Sequence, residues 1–170
     1  MCVRILRMFP QEAGIGANFS IYSETERNNI VKKSFQECDY DDEKLLKSVK
    51  FHIANAKMLG LNPEEYAKEY AYEHEIEEIE KVYDRYQKHL KENNALDFDD
   101  LLNETRLLLK RNEEAREYLA GRFRYILVDE FQDTNAVQYD IIKMLASVHG
   151  NLFAVGDDDQ SIYGWRGAKI

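Results

Sequence analysis

Proline occurs only twice in this chain, cysteine twice, and glycine eight times in 170 residues. That scarcity of turn residues argues against a β architecture of many short strands joined by tight turns. Cys2 and Cys38 show no framework spacing, which reads as two free thiols in a reducing compartment. No apolar run approaches the roughly 18–20 residues of a spanning helix, so no membrane segment is expected. Met1–Arg7 carries charge with no apolar h-region behind it, so no secretory signal is expected, and the location implied is cytoplasmic. His52, His74, His89 and His149 have no spaced Cys or His partner, so no zinc site is expected. Basic charge is also short, with 23 Lys+Arg against 32 Asp+Glu and a net charge of −9. This argues against a protein that coats nucleic acid by bulk charge, although an average says nothing of a local site.

What is present is a core and much helix. Apolar residues make up 44% of the chain, enough to exclude wholesale disorder. Residues 1–18 open on a short amphipathic piece, Val3, Ile5, Leu6 and Met8, with a stop expected at Pro10. Residues 19–94 read as mostly helical. Leu46, Val49, Ile53, Ala56 and Leu59 follow one helix face, and Gly60 is a plausible end. Asn62-Pro63-Glu64-Glu65 looks like a fresh start. Tyr72, Ile76, Ile79, Tyr83, Tyr86 and Leu90 then make a heptad-like seam, best read as helical-hairpin packing. Between 64 and 80 eight Glu stand against one Lys, read as a solvated helix face, with docking of a basic partner as the alternative.

Residues 95–170 change character. A helix is expected to open at Leu96-Asp97-Phe98, with Asp97 as its cap and Phe98 in the core, and to run through Leu107–Leu109. Tyr125–Asp129 is a short run rich in β-formers, Asn135 can cap a helix through Leu145, and Leu152–Gly156 is a second apolar run. Strand, helix, strand in about thirty residues predicts a βαβ unit with parallel strands. Both strands end in acids, Asp129-Glu130 and Asp157-Asp158-Asp159. Ligands of open α/β sheets bind outside the carboxyl ends of the strands. Carboxylates there suit magnesium, with phosphate oxygens and waters completing its shell. Taken alone, these acids also fit a cap or turn and a polar loop.

Together the motifs are more specific. Asp129-Glu130-Phe131-Gln132-Asp133-Thr134 resembles helicase motif II, the Walker B element, of superfamily 1 helicases of the UvrD/Rep/PcrA type. Val155–Ala168, with Gln160-Ser161-Ile162-Tyr163-Gly164-Trp165-Arg166, resembles their motif III. Ala95–Leu102 is similar to the segment that re-enters the ATPase core, Tyr83–Asn94 to the last helix of the inserted 1B subdomain, and Met1–Arg7 to the tail of motif Ib.

The resemblance implies an α/β fragment of a RecA-like P-loop NTPase core plus a mostly helical insertion. Its parts are the tail of motif Ib in domain 1A (1–18), the 1B subdomain (19–94), and the second part of 1A with motifs II and III (95–170). It implies ATP and Mg2+ as cofactors, with 3′→5′ movement along single-stranded DNA and DNA junctions as partners, in repair, replication or recombination. Asp129 is implied as the magnesium carboxylate, Glu130 as the base for the attacking water, and Gln160 as the sensor of the γ-phosphate. Tyr163, Trp165 and Arg166 are implied on the single-strand side, and Gln132 and Asp133 as links between the two motifs.

No G-x-x-x-x-G-K-[ST] occurs in the sequence, so the chain reads as an internal piece of a larger helicase, inactive without the remainder of that chain. Two alternatives remain. One is a magnesium-dependent nuclease or phosphohydrolase built on Asp129, Glu130 and Asp157–Asp159. The other is a non-enzymatic interaction module using the acidic helix 64–80.

Overall fold

Short polar side chains decide where many of the helices begin. Ser23, Asp42, Asn62, Asn112 and Asn135 each accept a hydrogen bond from the backbone N–H three residues on. Each thereby satisfies one of the donors a helix start leaves open. The computed structural model describes residues 1–157 and 159. In chain order its elements are α1 (Cys2–Met8), α2 (Pro10–Ala13), β1 (Ser20–Ile21), α3 (Glu24–Glu37), α4 (Glu43–Leu59), α5 (Pro63–Glu69) and α6 (Ile76–Glu92). There follow β2 (Ala95–Leu96), α7 (Phe98–Arg111), α8 (Glu113–Arg122), β3 (Ile126–Val128), a 3-10 turn over Phe131–Asp133, α9 (Ala136–Leu145) and β4 (Leu152–Ala154). The content is mixed α/β, mostly helical, with two small parallel sheets. Among the described residues no helix is long and apolar enough to cross a membrane.

The chain divides into two compact units, Asn18–Asp100 and Met1–Ala17 with Leu101 onward. The first is a helical packing around α6. Ile79, Val82, Tyr83, Tyr86 and Leu90 on α6 join Val31 and Phe35 of α3, Val49, Ile53 and Ala56 of α4 and Tyr66 of α5 in one buried cluster. Burial of an aliphatic side chain such as Ile53 or Ile79 contributes about 1.5–3 kcal/mol. Gly60 ends α4 in the left-handed region at φ 72°, a conformation glycine adopts without strain. Asn62 and Glu65 close a capping box behind it, with Pro63 at the first helical position. β1 and β2 pair in parallel, Ser20 opposite Ala95 and Ile21 opposite Leu96.

Residues 64–80 are not one helix, because α5 ends at Glu69 and α6 starts only at Ile76. Tyr72 lies in the turn between them, 74% exposed, so the seam proper begins at Ile76. Leu96 ends a strand rather than opening a helix. Phe98 at the head of α7 is 63% exposed, not core, because the inward position at that turn belongs to the polar Asp97. Pro10 does not only stop a helix: it is the first residue of α2, where its missing N–H costs nothing.

The second unit contains the expected βαβ arrangement. β3 and β4 are parallel, Ile126 opposite Leu152 and Val128 opposite Ala154, with α9 between them in the chain. Val137, Ile141 and Leu145 form the buried stripe of α9 at four-residue spacing. Asp140 on its other side meets Lys110 at 3.0 Å and Arg106 at 3.5 Å.

Candidate active site

The paired strands bring their following loops side by side. The Val155 N–H donates to the Val128 carbonyl and the Phe131 N–H to the Val155 carbonyl, each at 2.9 Å. Asp129 follows β3 directly, and one of its carboxylate oxygens accepts from the Glu130 N–H at 3.0 Å. Glu130 then adopts φ 51°, the left-handed region, so the chain reverses at once into the 3-10 turn. Such a backbone costs a non-glycine residue on the order of 1–3 kcal/mol. Both carboxylates are exposed.

Gln132 behind them is buried, at 3% exposure. Its Nε2 donates to Glu130 Oε2 at 2.6 Å, and its Oε1 accepts from the Asp157 N–H at 3.0 Å. The Asp159 N–H donates to the Asp157 carboxylate at 3.0 Å. Gly156 is where the two loops come closest. A Cβ there would stand 2.6 Å from Gln132 Oε1, 3.1 Å from the Gln132 nitrogen and 3.3 Å from the Phe131 nitrogen. Only glycine leaves room for that approach. Asp133 Oδ1 is buried with no hydrogen-bond partner among the described residues.

Asp129, Glu130, Asp157 and Asp159 thus follow the carboxyl ends of one parallel strand pair. Asp158, Gln160, Tyr163, Trp165 and Arg166 lie outside the described residues. Among the described residues no three His, Cys, Asp or Glu side chains gather as a metal cage. Magnesium normally takes only one or two carboxylates and completes its shell with phosphate and water. The exposed Asp129 fits that use, whereas a two-metal nuclease centre needs a richer cluster.

A second constellation escaped the sequence reading. In the helical unit Lys57 is 1% exposed, with Asp97 at 1% and Asp100 at 3%. Lys57 Nζ stands 2.5 Å from Asp97 Oδ2 and 2.8 Å from Asp100 Oδ1, and the Tyr86 hydroxyl donates to Asp97 Oδ2 at 2.6 Å. Arg27 adds charge at 3.9 Å. Asp97 does cap α7: its Oδ1 accepts the Asp100 N–H, and Asp100 Oδ2 accepts the Asp97 N–H. Burial opposes ionisation of Asp97, but the Lys57 charge and the hydrogen bonds outweigh it and hold its carboxyl at about 2. Burial pushes Asp100 up to about 6, against the pull of Lys57 and with the Asp97 charge adding to the rise. The signal was present in the sequence, since Lys57 follows Ile53 by four residues and shares the apolar face of α4.

The family model for the UvrD/REP helicase N-terminal domain matches residues 1–170. The chain is 43% identical over 171 residues to the ATP-dependent DNA helicase PcrA of Staphylococcus aureus (strain Mu50 / ATCC 700699). It is equally similar to the PcrA of Staphylococcus epidermidis (strain ATCC 12228 / FDA PCI 1200). Each alignment covers all of this chain and 23% of the relative, so the chain spans under a quarter of their length.

Proposed function

Because the chain belongs to the UvrD/REP helicase N-terminal domain family, we propose that its parent protein is an ATP-dependent DNA helicase. In this reading it moves 3′→5′ along single-stranded DNA and acts at junctions with duplex, in repair, replication or recombination in the cytoplasm. The observation that supports it most is the Asp129-Glu130 pair at the carboxyl end of a parallel strand, in a chain of this family. Residues 1–18 and 95–170 are assigned to the RecA-like core and 19–94 to the inserted 1B subdomain.

Magnesium-bound ATP supplies the electrophilic γ-phosphorus. Asp129 would hold the metal, directly or through water, and Glu130 orients the attacking water and takes its proton as the bond from the γ-phosphorus to the bridging oxygen breaks and ADP leaves. Gln160 senses the γ-phosphate with an amide that both donates and accepts. Trp165 stacks on a base, worth roughly 1–3 kcal/mol for any base, with Tyr163 and Arg166 beside it in the sequence. With no phosphate-cradling G-x-x-x-x-G-K-[ST] among its residues, the 170-residue chain alone is inactive in this proposal.

Glu130→Gln in the full-length protein is expected to keep ATP binding and to lower DNA-stimulated turnover by about 10²-fold or more. Unchanged turnover overturns the assignment of Glu130. Trp165→Ala is expected to weaken translocation more than basal hydrolysis. Metal-dependent, DNA-stimulated ATP turnover by the isolated chain refutes its proposed inactivity.

A further inference from the structure

An exposed glutamate at the tip of a sharp turn is a poor base unless something holds its carboxylate. We infer that Gln132 is the positioning residue for Glu130, and that the backbone at Gly156–Asp157 sets where Gln132 stands. The inference rests on the proposed role of Glu130 as base, and goes beyond it by naming what aims that base.

Among the described residues, the hydrogen-bond donor to the Glu130 carboxylate is the Gln132 amide, at 2.6 Å. The other end of that amide accepts the Asp157 N–H at 3.0 Å. A carboxylate oxygen accepts and a backbone N–H donates, so the two partners together dictate which way the amide faces. The amide is held at both ends by these bonds and its side chain is buried, while the missing Cβ at Gly156 leaves the space its Oε1 occupies. One rigid amide thus spans from the backbone after β4 to the carboxylate after β3. Asp157 is followed in the chain by the segment containing Gln160 and Trp165. Any shift of the backbone at Asp157 is therefore delivered to Glu130 through this side chain. A misplacement of about 1 Å in a reacting group can cost 10²-fold in rate, so a small shift suffices to raise or lower turnover.

The test uses the full-length protein and measures DNA-stimulated ATP hydrolysis, with binding of a fluorescent ATP analogue alongside. Gln132→Met keeps side-chain length and bulk but removes donor and acceptor. Its kcat is expected to fall by about 10- to 100-fold, with KM for ATP and analogue binding changed by less than about twofold. Gly156→Ala, which drives a methyl onto the amide oxygen, is expected to give the same split. In the double variant the loss is expected to be clearly smaller than the product of the two single losses, because both break one bridge. Unchanged kcat in Gln132→Met overturns the inference, as does full multiplicativity. Parallel loss of analogue binding and kcat in both single variants also overturns it, since Gln132 is then a structural residue. If Glu130→Gln itself leaves turnover intact, the base reading fails first and the result is separately visible.

Discussion

Replacing Lys57 by methionine probes the strongest electrostatic commitment in the helical unit. The substitution retains an unbranched apolar stem and removes the charge. It leaves Asp97 and Asp100, 1% and 3% exposed, facing each other, with Arg27 3.9 Å from Asp97 as the remaining paired cation among the described residues. Removing one partner of a buried ion pair costs about 3–5 kcal/mol, because the remaining charge is desolvated and unpaired. Against a typical stability of about 5–15 kcal/mol, that is a large fraction, equivalent to roughly a 10²- to 10⁴-fold fall in the folding equilibrium constant. The assay is urea unfolding followed by far-ultraviolet circular dichroism, at neutral pH and again under mild acid.

Asp100, raised from 3.8 to about 6, binds its proton in the folded state across a window where the unfolded chain has released it. Acidification from about pH 6 toward pH 4 therefore stabilises the fold through Asp100. Asp97, lowered from 3.8 to about 2, contributes stability that is present above pH 4 and lost as pH falls toward 2. Without Lys57 both carboxyls move upward, so the deficit of Lys57→Met is expected to shrink on acidification. A deficit below about 1 kcal/mol at neutral pH, or one that does not change with pH, would refute the reasoning.

Two further outcomes can be checked by the same unfolding assay. Tyr86→Phe removes the 2.6 Å hydroxyl donor to Asp97 while keeping the ring under Lys57 Nζ, and is expected to destabilise by about 1–3 kcal/mol, the larger part of which disappears in an Asp97→Asn background. Asn62→Ala opens the capping box of α5 and is expected to cost about 1 kcal/mol, whereas Asn62→Asp is expected to be nearly neutral.

Elements with a local cause were readable in advance. Asn62, Pro63, Gly60 and Asn135 mark helix ends by the chemistry of single residues, and each stands at the expected end. The faces expected on α4 and α6 turn inward, with Val49, Ile53, Ala56, Ile79, Tyr83, Tyr86 and Leu90 buried and Leu46, Leu59 and Ile76 partly so. The parallel pairing of β3 with β4 followed from strand, helix, strand order. Pairs of partners distant in the chain were not readable. β1 and β2 are two residues each, too short for a period to show, and they pair across some seventy residues of helix. Phe98 looked like core because it is apolar, yet the tertiary setting turned the adjacent aspartate inward instead.

The candidate site divides along the same line. Asp129-Glu130 after a β-rich run, and the acids after the next one, are local patterns, so their sheet-edge position was legible from residues alone. The amide of Gln132 reaches Asp157 across twenty-five residues of chain, and the need for glycine at 156 comes from the neighbouring loop. Lys57 and Asp97 lie forty apart. Local chemistry is written in adjacent letters, where capping, periodicity and turn preference act within a few residues. Which buried charge meets which carboxylate depends on how helices and strands pack, and that is a property of the folded chain alone.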